Sequence, residues 1–230
     1  MTPWLRRRAR ADRVLALLGL LVLAPVLAGL ALLVLAVDRQ APAVGLARIG
    51  RAGRPFTLWK LRTMRTGAGP GADADFTIQD DPRVTRLGHR LRRYRLDELP
   101  QLWNVVRGEM ALLGPRPEAP GYVDLDDAGW STALTTPPGI AGPTQVVIHA
   151  WEARVDTVAT YRSEVLPHKL AIDGWYVANA SPAVDRDVLR SLFRSVTAPD
   201  RPTAVHRRLR TTLPATMAAI DAASAQDRRG

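Results

Sequence analysis

The 230-residue chain has no cysteine, which removes disulfide frameworks, thiolate metal sites and thiol nucleophiles at once. Lysine is almost as scarce: Lys60 and Lys169 are the only two, so the default cation is arginine. Acidic residues are outnumbered, 22 against 32 basic ones, and the net charge is +10. Such a balance asks for an acidic partner, whether nucleic acid, anionic lipid or a phosphorylated substrate. The histidines show no metal-ligand spacing. Internal repeats are absent, and the length suits one ordinary domain with an appendage.

What the chain does have is a long apolar run. Val14 to Val37 carries no charge over 24 residues. As a helix it would reach about 36 Å, enough for a hydrocarbon core of about 30 Å. The run is too long for a signal peptide, and no polar cleavage segment follows it. Two readings remain, a spanning helix and a re-entrant hairpin. Pro25 sits mid-run, where it removes a backbone bond at a cost of about 3 kcal/mol and invites a bend. Arginines flank both ends: Arg6, Arg7, Arg8, Arg10 and Arg13 before, Arg39, Arg48, Arg51 and Arg54 after. The positive-inside rule wants both sets in the cytoplasm, which favours the hairpin modestly.

Beyond the run, "PFTLWKLRTM" alternates from Pro55 to Met64 and predicts a strand, with Lys60 and Arg62 on one face. "GAGPGADAD" at 67–75 predicts a loop. A helix is expected from about Glu98, with Leu99, Leu102, Trp103 and Val106 on one stripe and Pro100 in its first turn. "LLGPRPE" at 112–118 predicts a rigid turn displaying Arg116, and "TTPPGIAGP" at 135–143 a second rigid loop. Val188, Leu189, Leu192, Phe193 and Val196 form an apolar helical face opposed by Arg186, Arg190 and Arg194. That pattern fits an interfacial helix or a helix packed on a core. From about 198 onward the composition predicts a loose tail.

Asp97 and Glu98 stand together in "RLDELPQLWNVVRGEM", behind Arg92, Arg93 and Arg95. The plain reading is a helix N-cap with a first-turn charge. The chemical reading is a nucleophile and a metal ligand facing phosphate. A carboxylate attacking phosphorus needs an ionised state, a divalent cation, and guanidinium groups on the non-bridging oxygens. Mg²⁺ takes one or two protein carboxylates and completes its shell with water and phosphate, so one glutamate suffices. Arg116 lies between two prolines, which fix the backbone and limit the entropy lost on binding a phosphate.

Together "RAGRPFTLWKLRTMR", "DPRVTRLGHRLRRYRLDELPQLWNVVRGEMALLGPRP", "PPGIAGPTQ" and "DGWYVANASPAVD" resemble the bacterial sugar transferase family, the small monotopic polyprenyl-phosphate phosphoglycosyl transferases. The resemblance runs from the N-terminal apolar segment to about residue 197. It implies transfer of a sugar 1-phosphate from a nucleoside diphosphate sugar, usually a UDP-sugar, to a polyprenyl phosphate such as undecaprenyl phosphate. UMP leaves, and the lipid-linked diphosphate sugar starts surface glycan (exopolysaccharide) assembly. On the matching positions the family's nucleophile is Asp97 and its Mg²⁺ ligand Glu98. Its substrate-binding positions map onto Lys60, Arg92, Arg116 and Asp185, with Arg62 beside Lys60 in the same motif. Three departures stand out. Ala24-Pro25 replaces a Ser-Pro bend, Arg95 replaces a Ser or Thr, and "QVVIHA" puts His149 where many members have a phosphate-gripping arginine.

The expected fold is mixed α/β and predominantly helical. It comprises a basic N-terminus with a re-entrant membrane helix hairpin (1–40), one cytosolic catalytic domain with a small β element and interfacial amphipathic helices (41–197), and the tail (198–230). The expected location is the cytoplasmic face of the inner membrane. Expected partners are nucleotide sugar, polyprenyl phosphate, membrane and downstream glycosyltransferases, with no nucleic acid. Two rivals are a membrane-anchored basic phosphate- or nucleic-acid-binding protein and a silent paralogue that organises a glycan pathway.

Overall fold

The computed structural model describes residues 2–65, 81–152, 155, 157–197 and 202–226. The chain opens with α1 (Pro3–Asp38), whose N-terminus is capped by the Thr2 hydroxyl accepting from the Leu5 amide at 3.3 Å. Helical backbone continues through Pro25 and stops at Arg39, which adopts a left-handed φ of 54°. The helix is long and apolar enough to cross a membrane. Its middle, including Leu21, Val22, Val26 and Leu32, is exposed, while both flanks are packed. Ala16 lies against Leu58, Val105 and Met110, and Val34 lies against Leu87 and Leu91.

Two antiparallel strands follow, β1 (Ala43–Ile49) and β2 (Pro55–Leu61), with Val44 opposite Lys60. β2 is the expected strand. β1 had no alternating pattern strong enough to announce it. Next come α2 (Arg86–Arg93), a 3-10 turn (Leu96–Glu98) and α3 (Gln101–Arg107). The helix expected from Glu98 therefore begins three residues later, with Pro100 as its cap. Asp97 lies in the 3-10 turn and is no N-cap. The amides of Leu99, Leu102 and Trp103 each bond the carbonyl three residues back, which keeps this stretch tighter than an α-helix.

β3 (Ala111–Leu113) leads into the Pro115–Pro117 turn and pairs in parallel with β4 (Gly139–Ala141), reached through α4 (Ala128–Ala133). The expected loop at 135–143 thus contains a short strand. α5 (Pro143–Val147), α6 (His149–Glu152), α7 (Val158–Thr160) and a π-helical turn (Tyr161–Val165) run into α8 (Leu166–Asn179). α9 (Pro182–Thr197), α10 (Ala204–Thr212) and α11 (Pro214–Gln226) complete the described chain, which is predominantly helical with two small sheets.

The main core gathers Ile172 and Tyr176 of α8, Val184 and Val188 of α9, Val205 and Leu209 of α10, and Met217 and Ile220 of α11. The expected loose tail is corrected here. Its apolar residues fall at helical spacing, and α10 and α11 bury Val205, Leu209, Met217 and Ile220 in the main core. On α9 the apolar stripe divides: Val188 is buried, whereas Leu189 and Phe193 are 55% and 72% exposed. The expected loop at 67–75 lies outside the described residues.

Leu209 has no exposed surface, so Leu209→Ala should cost about 2–5 kcal/mol of unfolding free energy through lost transfer energy and a residual cavity. Chemical denaturation of the wild type and variant reads this directly. A change near zero would place α10 outside the cooperative core.

Candidate active site

The site is assembled around the 3-10 turn. Arg95 takes a left-handed φ of 54°, which reverses the chain after α2 and aims Asp97 and Glu98 inward, both of them buried. From β2, Lys60 donates from Nζ to Glu98 Oε1 at 3.0 Å and stands 3.9 Å from Asp97 Oδ2. Arg116, on the turn after β3, donates from Nη2 to the same Glu98 oxygen at 3.1 Å. Arg95 lies 3.7 Å from Glu98 Oε2. On α2, Arg92 donates from Nε to Thr63 Oγ1 at 2.9 Å and directs its charge toward Asp97 and Asp81. Lys60, Arg92, Arg95 and Arg116 thus surround Asp97 and Glu98, with Asp81 acting on Arg92 and Glu152 on Arg116 from outside the pair.

Two close approaches set these positions. A Cβ on Gly88 would come within 2.1 Å of the Thr63 carbonyl oxygen, so only glycine lets α2 settle where Arg92 reaches Thr63. A Cβ on Gly139 would sit 2.1 Å from the Gly114 amide, so the β3–β4 pairing that holds the Arg116 turn needs glycine too. The turn is secured further by Gly139 N donating to Pro115 O at 2.8 Å and Gly114 N to Ala141 O at 2.9 Å.

The two carboxylates are driven apart. Burial pushes Asp97 up and Glu98 adds repulsion; Lys60, Arg92 and Arg116 oppose this, and the net shift is upward. Burial would also raise Glu98, but Arg116, Lys60 and Arg95 outweigh it and hold the carboxyl far below the usual range. Burial pulls Lys60 down despite Glu98 and Asp97. Burial also works against the Arg116 charge, but Glu98 and then Glu152 more than offset it. One carboxylate is therefore a fixed anion and the other a tunable one, the separation expected where two acids divide two tasks.

Among the described residues no group of three His, Asp or Glu side chains could hold a metal. Glu98 Oε1 is occupied by two cations, while Oε2 faces Arg95 beyond hydrogen-bond distance. That oxygen fits a hard cation that draws its remaining ligands from water and phosphate.

The structure brings Asp97, Glu98, Lys60, Arg92 and Arg116 together in one place. It gives Arg62 and Asp185 other partners. Arg62 donates to the Ala41 and Ala43 carbonyls at 2.8 and 3.4 Å, tying β2 to the segment before β1. Asp185 is buried and accepts from Trp4 Nε1 at 2.7 Å, Tyr176 Oη at 2.6 Å and Arg8, so it fastens α9 to α1. His149 opens α6, and its side chain lies outside the described part of the structure. Two supporting residues went unnoticed in the sequence. Asn104 is buried; its Nδ2 donates to Thr57 O and Glu109 Oε2, both at 2.7 Å, and its Oδ1 accepts from Trp59 N at 3.1 Å. That pins β2, and hence Lys60, to α3; a buried amide inside a short apolar helix was the available signal. Glu118 accepts from Tyr161 Oη at 2.7 Å and from buried Lys169, anchoring the end of the Arg116 turn.

Residues 4–198 match the family described as bacterial sugar transferase. A UDP-galactose-lipid carrier transferase of Erwinia amylovora is 36% identical over 179 residues, covering 71% of this chain and 35% of that protein. A UDP-glucose:undecaprenyl-phosphate glucose-1-phosphate transferase of Escherichia coli is 38% identical over 161 residues, 67% of this chain and 33% of that protein. An exopolysaccharide production protein of Sinorhizobium fredii is 33% identical over 201 residues, 81% of this chain and 82% of that protein. The chain spans about a third of the length of the first two and most of the third.

The Asp97 carboxyl, followed by carbon-detected NMR in selectively labelled protein, should titrate above the ordinary 3.8. Lys60→Met removes a cation that favours the charged form, so the midpoint should move further up. A midpoint at or below 3.8 in the wild type would contradict the burial that places Asp97 in this site.

Proposed function

Because the chain belongs to the bacterial sugar transferase family, we propose that it transfers a sugar 1-phosphate from a UDP-sugar to undecaprenyl phosphate. The observation that carries this reading is the buried Asp97–Glu98 pair set among Lys60, Arg92, Arg95 and Arg116. A solvated N-cap would not need such a cage, and a binding protein for nucleic acid would not need the carboxylates. The relatives named for UDP-galactose and UDP-glucose support a UDP-sugar donor without choosing the sugar.

In the proposed reaction Asp97 Oδ attacks the β-phosphorus of the nucleotide sugar. The bond from that phosphorus to the α–β bridging oxygen breaks, and UMP departs with the electron pair. Lys60, Arg92 and Arg116 hold the non-bridging oxygens, where charge is greatest in flight. The phosphate oxygen of undecaprenyl phosphate then attacks the phospho-sugar aspartate, and the Asp97–phosphorus bond breaks to return the carboxylate. Burial that raises the free Asp97 carboxyl also makes its anion a better nucleophile than a solvated one. Mg²⁺, held by Glu98, would neutralise phosphate charge. Downstream glycosyltransferases would take the lipid-linked product.

The same proposal places α1 as a re-entrant anchor on the cytoplasmic face of the inner membrane. Support comes from both flanks of α1. Asp12 accepts from the Leu112 amide at 3.3 Å near one end, and Asp38 accepts from the Thr85 hydroxyl at 2.9 Å at the other. A spanning helix would put these two ends on opposite faces of the bilayer, away from the one domain that both touch. Leu189 and Phe193 on α9, exposed beside Arg186 and Arg190, suit an interfacial helix.

Purified protein in nanodiscs, given a UDP-sugar panel, undecaprenyl phosphate and Mg²⁺, should release UMP with at least one sugar. Asp97→Asn should lower the rate by about 10³-fold or more, and Arg116→Ala by about 10²–10³-fold. EDTA should abolish release. Labelled UMP should exchange into the UDP-sugar without lipid acceptor; absence of exchange alongside intact turnover would favour direct transfer with Asp97 as base. For topology, the cysteine-free chain permits single labels. Arg10→Cys and Ala41→Cys should both react with an impermeant maleimide only from the cytoplasmic side, and labelling from opposite sides would establish a span.

A further inference from the structure

The family match ends at residue 198, and two well-packed helices follow it. α11 does not merely cover the core. It lies against α6, the helix made of the last two residues of the divergent "QVVIHA" stretch and the two residues after it. Trp151 of α6 packs on the His168 ring of α8 with centroids 5.5 Å apart. The same ring meets α11, where His168 Nδ1 stands 3.4 Å from Thr216 Oγ1. Met217 and Ile220 of α11 and Ile148, just before α6, belong to the same buried cluster, against which Trp151 packs. One short junction therefore joins α6, α8 and the C-terminal pair.

The other side of α6 leads to the site. β4 is bonded alongside the turn carrying Arg116, and a Cβ on Gly142 would come within 2.2 Å of the Gly114 carbonyl oxygen. The start of α5 is thus fixed against that turn, and α5 runs directly into α6. At the end of α6, Glu152 is near enough to help hold the Arg116 charge, second only to Glu98 among the acids that do so. The position of α6 consequently bears on the field at Arg116.

We propose that α10 and α11 act as a clamp on α6, with Trp151 as a positioning residue that sets α6 and Glu152 against the Arg116 turn on the nucleotide-sugar side of the site. The proposal rests on the transferase reading for its substrate but not for its mechanics. The motif that departs from the family and the helices that lie beyond the family match are then two halves of one device. Arg116 is ion-paired with Glu98, which belongs to the chemistry, and feels the charge of Glu152, which the clamp positions.

The test uses the full chain in nanodiscs, with Trp151→Ala, Trp151→Phe and a chain ending at Leu213. Hydrogen exchange over 143–152 needs no turnover. It should quicken about tenfold in Trp151→Ala and in the shortened chain, with 101–107 unchanged and Trp151→Phe close to wild type. In kinetics, Trp151→Ala should lower kcat/KM for the nucleotide sugar about tenfold, with kcat/KM for undecaprenyl phosphate within about twofold. Unchanged exchange over 143–152 would overturn the clamp, as would faster exchange that spreads equally to 101–107. An equal fall in kcat/KM for both substrates would overturn its role on the nucleotide-sugar side. If no sugar supports turnover even in the wild type, the transferase reading fails, and the exchange result still decides whether the clamp exists.

Discussion

One oxygen of Glu98 accepts from two cations, Lys60 at 3.0 Å and Arg116 at 3.1 Å. Two positive groups converge on such a point only when the point is a persistent anion. The forced ionisation of Glu98 is therefore what allows β2 and the Arg116 turn to meet around the 3-10 turn. Burial lifts the neighbouring Asp97 carboxyl, and the same charge adds to that lift. Without that anion, Lys60, Arg95 and Arg116 would repel one another inside a partly desolvated pocket. In the proposed reaction an incoming diphosphate would find the cations already gathered, with no reorganisation required at the moment of reaction.

Steric permission matters as much as charge. Arg92 reaches Thr63 because Gly88 has no side chain, and the Arg116 turn lies against β4 because Gly114 and Gly139 have none. A β-carbon at either contact would move a cation away from the acids by roughly its own van der Waals size, and such shifts of about 1 Å are costly in preorganised sites. Glu118, bonded to Tyr161 and Lys169, then fixes the far end of the turn. One of the chain's two lysines faces the acids, and the other braces an arginine that does.

Much of the site was legible because its residues lie in compact motifs: Lys60 on an alternating strand, Arg116 between prolines, Asp97 beside Glu98. Long-range partnership was not legible. Asp185 lies in a motif that matches the family, yet its carboxylate meets Trp4 and Arg8, residues more than 170 positions away, and no local pattern reveals such a contact. Arg62 shares a strand face with Lys60, but the end of β2 lets it turn to nearby carbonyls. The helix start was misplaced because Pro100 suits a first turn or a cap equally well, and only the 3-10 bonding before it decides. α10 and α11 were hidden by composition, since Ala, Thr and Arg residues read as disorder until neighbouring helices offer a surface to cover.

The last consequence belongs to α1. Helices that cross a bilayer must match its hydrocarbon thickness, and mismatch sorts proteins among membranes of different width. α1 is bonded to the same domain near both ends, through Asp12 and Asp38, so in the proposed re-entrant arrangement its exposed apolar middle would have only one interface to satisfy. In that arrangement the depth of immersion would be a property of the protein's own geometry. Thickening or thinning the lipid would leave that depth, and with it the height of Asp97 above the surface, where the fold has set it.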